Sequence, residues 1–288
     1  MTDTNNIIGI DLGGTNIRIG LVCNDKIQNI ISSPTPAKSA EETVIQSICN
    51  LIENFLDQPV AAIGIGVPSV VDVERGIVYD VVNIPSWKEV HLKQILEKKY
   101  HIPVFINNDA NCFVAGEKHF GKAKNASSVV GLVLGTGLGA GLILNNQLYE
   151  GKNCGAGEIG YLPYLQNNYE YYCSGQFFRD EYHISALEIF ETALTGNKDS
   201  IEIFHQFGIH VGNMLMTVLY AYDPELILLG GSVSKSYALF KDSMHQELQK
   251  FIYAKTLKSL KIEVSEIENI AIYGAASLFY NNLSKNHL

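Results

Sequence analysis

The sequence predicts an α/β protein of two domains built on one plan and facing each other. Three observations carry this. Apolar runs of strand length alternate with runs of helical spacing along the 288 residues. A segment that starts at Gly14 recurs at Gly135. Glycine-rich turns follow apolar strands in both halves.

Residues 7–10, 18–23 and 27–32 are expected as three successive strands joined by tight turns. The span 40–55 is expected to be a helix, because Val44, Ile45, Ile48, Leu51 and Ile52 recur at helical spacing. Residues 61–67 and 104–106 are short buried strands, and 87–99 and 110–119 are helices. The stretch 128–148 is a strand pair with a turn at Asn145-Asn146. Helices fill much of 181–220, a strand covers 225–229, and helices follow to the C-terminus. Gly274-Ala275-Ala276 allows the last helix to pack closely against a neighbour. The expected division is 1–115 for the N-terminal domain and 116–288 for the C-terminal one, with a helix at about 274–288 packing back on the first.

The repeat has a constant offset of 121 between residue 14 and residue 135. Under it Gly14, Thr15, Gly20, Leu21 and Asn24 meet identical residues, and Ile27 meets Leu148. Both copies place a Gly-Thr turn between two strands, the second of which ends in an Asn-containing turn.

Composition excludes several function classes. A formal net charge of −9 argues against nucleic acid or an anionic membrane as the main partner. Met1 to Asn6 is short and polar, so no secretory signal is expected, and no apolar run is long enough to span a bilayer. The five cysteines, Cys23, Cys49, Cys112, Cys154 and Cys173, are widely spaced and lack metal-ligand spacing. Reduced thiols in a cytoplasm follow.

Two glycine turns could hold phosphates, and a third could contact a ligand. Asp11-Leu12-Gly13-Gly14-Thr15 follows an apolar strand, where glycines let backbone N–H groups approach an anion and Thr15 adds a hydroxyl. Asp11 could hold a hydrated magnesium ion. A plain hairpin turn is the competing reading. Gly135-Thr136-Gly137 is a second such turn. Its glycines approach a dinucleotide-binding pattern, but a strand rather than a helix follows. Gly230-Gly231-Ser232, after an apolar strand, is either a ligand contact or a helix-capping turn. Two phosphate-type turns, one per half, point to a nucleotide clamped between domains.

Asn107-Asn108-Asp109-Ala110-Asn111 passes from a strand into a helix. Asp109 is therefore either an N-cap or a base that accepts a hydroxyl proton from an alcohol attacking phosphorus. Asn108 could hold another hydroxyl.

Taken together, these motifs resemble the ROK family (repressors, open reading frames and sugar kinases) of the actin, Hsp70 and hexokinase-like superfamily, nearly end to end. The resemblant segments are Asp11–Thr15, Gly64-Ile65-Gly66-Val67-Pro68, Asn83-Ile84-Pro85-Ser86-Trp87, Asn108-Asp109-Ala110-Asn111 with Gly116-Glu117, Leu134–Gly137, Gly155-Ala156-Gly157-Glu158-Ile159-Gly160, and Asp223-Pro224 with Leu228-Leu229-Gly230-Gly231. The resemblance implies two actin-like (ribonuclease H-like) domains with a cleft between them. It implies Asp109 as general base, with Gly66, Asn83, Asn108, Glu158, Tyr161 and Glu170 on the sugar side. ATP and Mg2+ would meet Asp11, Gly13, Gly14, Thr15, Gly135, Thr136, Gly137, Gly230, Gly231 and Ser232. Family repressors carry a DNA-binding segment before the first phosphate turn; with only about ten residues ahead of Asp11, no such segment is expected.

Two departures stand out. Tyr161 occupies the position of a family histidine, as in some members that act on other glycosides. The family's cysteine-rich zinc loop is replaced by residues 162–175, so no zinc is expected, while counting back from Ser174-Gly175 places Glu170 on a sugar-binding glutamate. Five tyrosines, Tyr161, Tyr164, Tyr169, Tyr171 and Tyr172, could order the loop by packing; a variable surface loop is the other reading.

The resulting expectation is an ATP-dependent hexose kinase with glucose as leading substrate. An N-acetylhexosamine, fructose or β-glucoside kinase comes next. A non-catalytic sugar-sensing regulator is a further alternative, weakened because sensing needs no base. An actin-like or chaperone ATPase lacks a peptide-binding or filament domain. The resemblance also implies a homo-oligomer, a dimer first, with no nucleic-acid or membrane partner.

Overall fold

The computed structural model describes residues 6–285. Residues 1–5 of the polar N-terminal stretch, and 286–288 at the end of the expected 274–288 helix, lie outside the described residues. The chain forms two units. One takes in the chain up to Asn125, the segment Gln147–Ala156 and the chain from Ile267 onward; the other comprises Ala126–Asn146 and Gly157–Glu266.

The first unit opens with the expected meander, β1 (Ile7–Leu12), β2 (Asn16–Cys23) and β3 (Lys26–Pro34). Helix α1 (Glu41–Ile52) follows, with Val44, Ile48 and Ile52 fully buried. Strand β4 (Ala62–Val67) runs parallel to β1. Next come β5 (Val71–Asp72), β6 (Ile77–Tyr79) and β7 (Glu89–Val90), which form a small antiparallel sheet. Strands this short carry no readable periodicity. They also correct the helix expected over 87–99. Val90 pairs with Val78, and Trp87 closes a turn through its N–H to the Ile84 carbonyl, so helix α2 spans only Leu92–Tyr100. Strand β8 (Val104–Asn108) leads into α3 (Asp109–Phe120). Helix α3 runs unbroken through residues 115 and 116, where the sequence divides the chain, and lies wholly in the first unit.

In the second unit β9 (Val129–Leu134) and β10 (Leu138–Leu144) form the expected hairpin. Asn145 and Asn146 follow with φ of 52° and 66°, the left-handed region that Asn tolerates in such turns. Strand β11 (Gln147–Leu148) belongs to the segment that returns to the first unit. Then come β12 (Pro163–Tyr164), β13 (Asn167–Asn168), α4 (Tyr169–Tyr172), α5 (Ala186–Leu194) and α6 (Lys198–Tyr222). Strand β14 (Leu226–Gly230), α7 (Tyr237–Leu248), α8 (Ala254–Ser259) and β15 (Lys261–Val264) complete it. Strand β15 stands in a region expected to be helical; it is four residues long and pairs with β14. Helix α9 (Ile270–Lys285) returns to the first unit.

The repeat is visible in the sheets. The first sheet has the order β3-β2-β1-β4-β8. Its last four strands match β10-β9-β14-β15 in position and sense: one antiparallel hairpin, then two parallel additions. Both units are thus α/β with the ribonuclease H-like order. Strand alternation sorts β1 onto two faces. Ile8, Ile10 and Leu12 pack with α1, whereas Ile7 packs with Ile272 and Ala276 of α9. Among the described residues no helix is long and apolar enough to cross a membrane.

Candidate active site

In the first unit, three adjacent parallel strands end in a row. Asp11 on β1 lies opposite Gly66 on β4, and Gly66 lies opposite Asn107 on β8. Open α/β sheets bind ligands outside these carboxyl ends. The first glycine turn follows Asp11 and closes through the Gly13 N–H to the Asn16 carbonyl, 3.0 Å. Thr35 braces it, its hydroxyl donating to the Gly13 carbonyl at 2.7 Å and its N–H to the Thr15 carbonyl at 2.9 Å. The closing bond leaves the Gly14 and Thr15 amides outside it, and Thr15 is exposed. Asn83, from the loop after β6, lies against this turn: a Cβ at Gly14 would fall 2.5 Å from the Asn83 Cβ. Burial pushes the Asp11 carboxyl above its ordinary value, and the cross-strand Arg18 guanidinium opposes that shift.

The Asn108-Asp109 pair sits at the strand-to-helix junction. The structure gives the cap to Asn108, whose side chain accepts from the Ala110 N–H at 2.9 Å. Asp109 is therefore the first residue of α3. Its Oδ1 also accepts from the Ala110 N–H, at 2.8 Å, and the residue is exposed. The helix dipole favours the charged carboxylate there. Gly66 is close by: a Cβ on it would lie 3.9 Å from the Asp109 Cα and 3.2 Å from the Cys112 sulfur.

In the second unit the Gly135-Thr136-Gly137 turn closes in the same way, Gly135 N–H to Gly137 carbonyl at 3.0 Å. Glu170, in the first turn of α4, reaches it. Its Oε2 accepts from the Leu138 N–H at 3.0 Å and its Oε1 from Gln176 Nε2 at 2.9 Å. Gly175 N–H donates to the Gly135 carbonyl at 2.7 Å, and the Ser174 hydroxyl to the Thr136 carbonyl at 3.3 Å. The loop that carries Glu170 and the second glycine turn are thus one bonded assembly. Gly231, at φ 87°, brings the third glycine turn onto the same strand end, since a Cβ there would fall 2.3 Å from the Leu134 carbonyl oxygen. Ser232 makes no side-chain capping bond to the short helix after it, which disfavours the capping reading.

Glu158 stands beside Glu170 in charge terms. Partial burial, then the Glu170 carboxylate, raise the Glu158 carboxyl above its ordinary value. Tyr161 feels the same pair, and the Glu170 charge is the largest cause of its raised phenol. Of the five tyrosines, four pack around the Glu170 loop. Tyr164 stacks on Tyr169 with centroids 4.5 Å apart and meets Tyr172 edge-on at 5.5 Å, and Tyr171 meets Tyr172 at 4.9 Å. His210 joins them, 3.1 Å from the Tyr164 hydroxyl. Tyr161 does not join; it is 68% exposed.

The sequence reading missed Glu150 and His210, and assigned no role to Asn107 or Gln176. Asn107 and Gln176 bond Asn108 and Glu170 directly, whereas Glu150 and His210 reach the site at one remove, through Asn107 and Tyr164. Among the described residues no group of three or more His, Cys, Asp or Glu side chains stands together as a metal site. Asp11 beside open turn amides fits a hydrated magnesium ion held jointly with phosphate oxygens, because magnesium keeps several waters and needs only one or two carboxylates.

The sequence profile of the ROK family matches residues 7–282. The chain belongs to the ROK family. It is 28% identical to a glucokinase of Thermotoga maritima, over 94% of this chain and 96% of the relative. It is also 28% identical to a xylose repressor of Bacillus subtilis, over 94% of this chain and 76% of the relative. Among solved structures, a ROK family glucokinase from Streptomyces griseus in complex with glucose and AMPPNP superposes with a TM-score of 0.81 at 26% identity, covering 95% of this chain and 99% of that one.

Proposed function

We propose that this ATP-dependent sugar kinase acts on a hexose, with glucose the leading acceptor. The observation that carries the reading is the row Asp11, Gly66 and Asn107 at three parallel strand ends, with a glycine turn at one end and Asn108-Asp109 at the other. Such a row brings phosphate-type amides and a carboxylate base onto one edge of one sheet.

Asp109 accepts the proton of the attacking hydroxyl. The sugar oxygen then bonds to the γ-phosphorus as the bond to the β,γ-bridging oxygen breaks and ADP leaves. Asn83, Asn108 and the Gly66 backbone orient the sugar in the first unit; Glu158, Tyr161 and Glu170 contact it in the second. Gly13, Gly14 and Thr15 receive phosphate oxygens, as do Gly135, Thr136 and Gly137. Gly230, Gly231 and Ser232 contact the nucleoside. Asp11 would hold Mg2+ through water, and the ion would supply neutralisation of charge on the phosphates. Positioning and charge stabilisation do most of the work in this chemistry, which suits a site with one carboxylate base and many backbone donors.

A coupled ATP assay across hexoses and N-acetylhexosamines tests the reading. Sugar-dependent turnover with glucose among the best acceptors is expected. Turnover confined to an N-acetylhexosamine, fructose or a β-glucoside changes the acceptor only. The likeness to a xylose repressor favours a second reading, a sugar-sensing protein without turnover. Sugar binding with no ATP consumption on any sugar would select it. A cytoplasmic homodimer with no nucleic-acid partner completes the proposal, and light scattering measures the dimer.

A further inference from the structure

The geometry points to Asn107 and Glu150 as a positioning clamp for the Asn108-Asp109 junction, an inference that rests on the role given to Asp109 above. Asn107 is 1% exposed, yet its side chain is polar at both ends and both ends are used. Its Oδ1 accepts from the Asn108 N–H at 2.8 Å and from Asn111 Nδ2 at 2.9 Å. The Cys154 thiol approaches the same oxygen at 3.4 Å. Its Nδ2 donates to Glu150 Oε1 at 3.0 Å.

These bonds fix the one place where the strand must turn into the helix. Asn108 N–H is held before the helix begins, and the Asn111 side chain is held within its first turn. Asp109 lies between the two anchored points, so the direction of its carboxylate follows from them. Glu150 sets which way the Asn107 amide faces: an acceptor on its Nδ2 side forces Oδ1 toward Asn108 and Asn111. A buried amide could otherwise flip, presenting a donor to the Asn108 N–H and losing both bonds. The clamp joins residues 43 positions apart within the first unit.

The charge logic yields a rescue test. Asn107→Asp keeps an acceptor for Asn108 and Asn111 but sets two carboxylates against each other. Adding Glu150→Gln restores a donor–acceptor pair with its polarity reversed. A small misplacement of a catalytic group can lower turnover by on the order of a hundredfold. Asn107→Asp should therefore lower kcat by about tenfold to a hundredfold, with KM for ATP little changed. The double variant Asn107→Asp, Glu150→Gln should recover most of that loss. Glu150→Ala should fall below Glu150→Gln in kcat, a comparison that stands even if Asn107→Asp does not fold. Hydrogen exchange at the Asn108 backbone amide and the Asn111 side-chain amide reads the clamp without catalysis, and should quicken in Asn107→Asp and slow again in the double variant. An unchanged kcat in folded Asn107→Asp, no recovery in the double variant, or equal kcat in the two Glu150 variants overturns the clamp. Absence of sugar-dependent turnover in the wild-type protein overturns instead the kinase reading beneath it, while exchange still reports whether the bonds hold the junction.

Discussion

Two roles are open to Asp109 from the sequence, helix cap and general base, and the structure gives the cap to its neighbour. The cap belongs to Asn108, so Asp109→Asn leaves the capping bond in place. The variant should fold with an unchanged melting curve and lose on the order of 10²–10⁴ in kcat, the range for a removed general base. A variant with near-normal kcat would move the base to another residue. Glu170 is the second residue-scale case. Its two oxygens already accept from Leu138 N–H and Gln176 Nε2, which leaves further lone pairs for a sugar hydroxyl. Glu170→Gln exchanges one accepting oxygen for an NH2 and removes the charge from the other. Sugar KM should rise by about tenfold to a hundredfold, since a bond to a charged acceptor contributes about 1.5–3 kcal/mol. ATP KM should rise several-fold as well, because Leu138 N–H adjoins the second glycine turn. An unchanged sugar KM removes Glu170 from sugar binding; an unchanged ATP KM removes its link to the turn. The position of Asp109 was legible because a strand followed by a helix is a local pattern. Its supports were not: Glu150 is distant in sequence, and nothing about a lone glutamate announces a buried amide partner.

At the scale of elements, the Glu170 loop is held by aromatic packing. Helix α4 is only four residues long and could not persist alone. Tyr164, Tyr169 and Tyr172 fasten it to α6, where Tyr169 shares a hydrogen bond with Thr217 at 2.7 Å and His210 lies among the rings. The tyrosine density was readable from the sequence, but the receiving surface on α6 was not, and Tyr161 was wrongly grouped with the stack. Burial lowers the His210 imidazole below its ordinary value, with the Glu181 and Glu247 charges opposing. The sign follows from proton uptake. Below the unfolded value near 6.5 the unfolded chain binds a proton that the folded one resists, so unfolding gains ground. Stability from this group is complete above that value and declines as pH falls toward the lower folded value. Urea unfolding at pH about 7.5 and about 5.5 should show a larger loss for the wild type than for His210→Phe. Equal losses would exclude His210 as the titrating group.

At the scale of the whole molecule, the two units repeat one sheet plan but complete it differently. The repeat was legible because its glycine turns are local and the offset is constant. The way the first unit is finished was not, since it depends on a helix more than 200 residues away from the strand it covers. Helix α9 lies on β1 and β4 and buries Ile272, Ala275 and Ala276 completely. Gly274-Ala275-Ala276 was readable as a close-packing surface, and it has two partners: Gly274 meets Cys112 and Gly116 of α3, and Ala275 and Ala276 meet Gly64 in β4. A Cβ on Gly64 would fall 1.9 Å from the Ala275 carbonyl oxygen, a backbone atom that no rotamer change can move aside. Overpacking against side chains costs typically about 1–3 kcal/mol. Gly64→Ala should lie at or above the top of that range and lower the urea midpoint accordingly, because relief requires α9 to lift off the sheet. Gly155→Ala is the matched control: nothing lies within 4 Å of a Cβ there, so its midpoint should hardly move. If the two variants unfold alike, the close approach of α9 to β4 contributes nothing particular. If only Gly64→Ala falls, the C-terminal helix is part of the same core as β1 and β4, and lifting it would disturb the row of Asp11, Gly66 and Asn107.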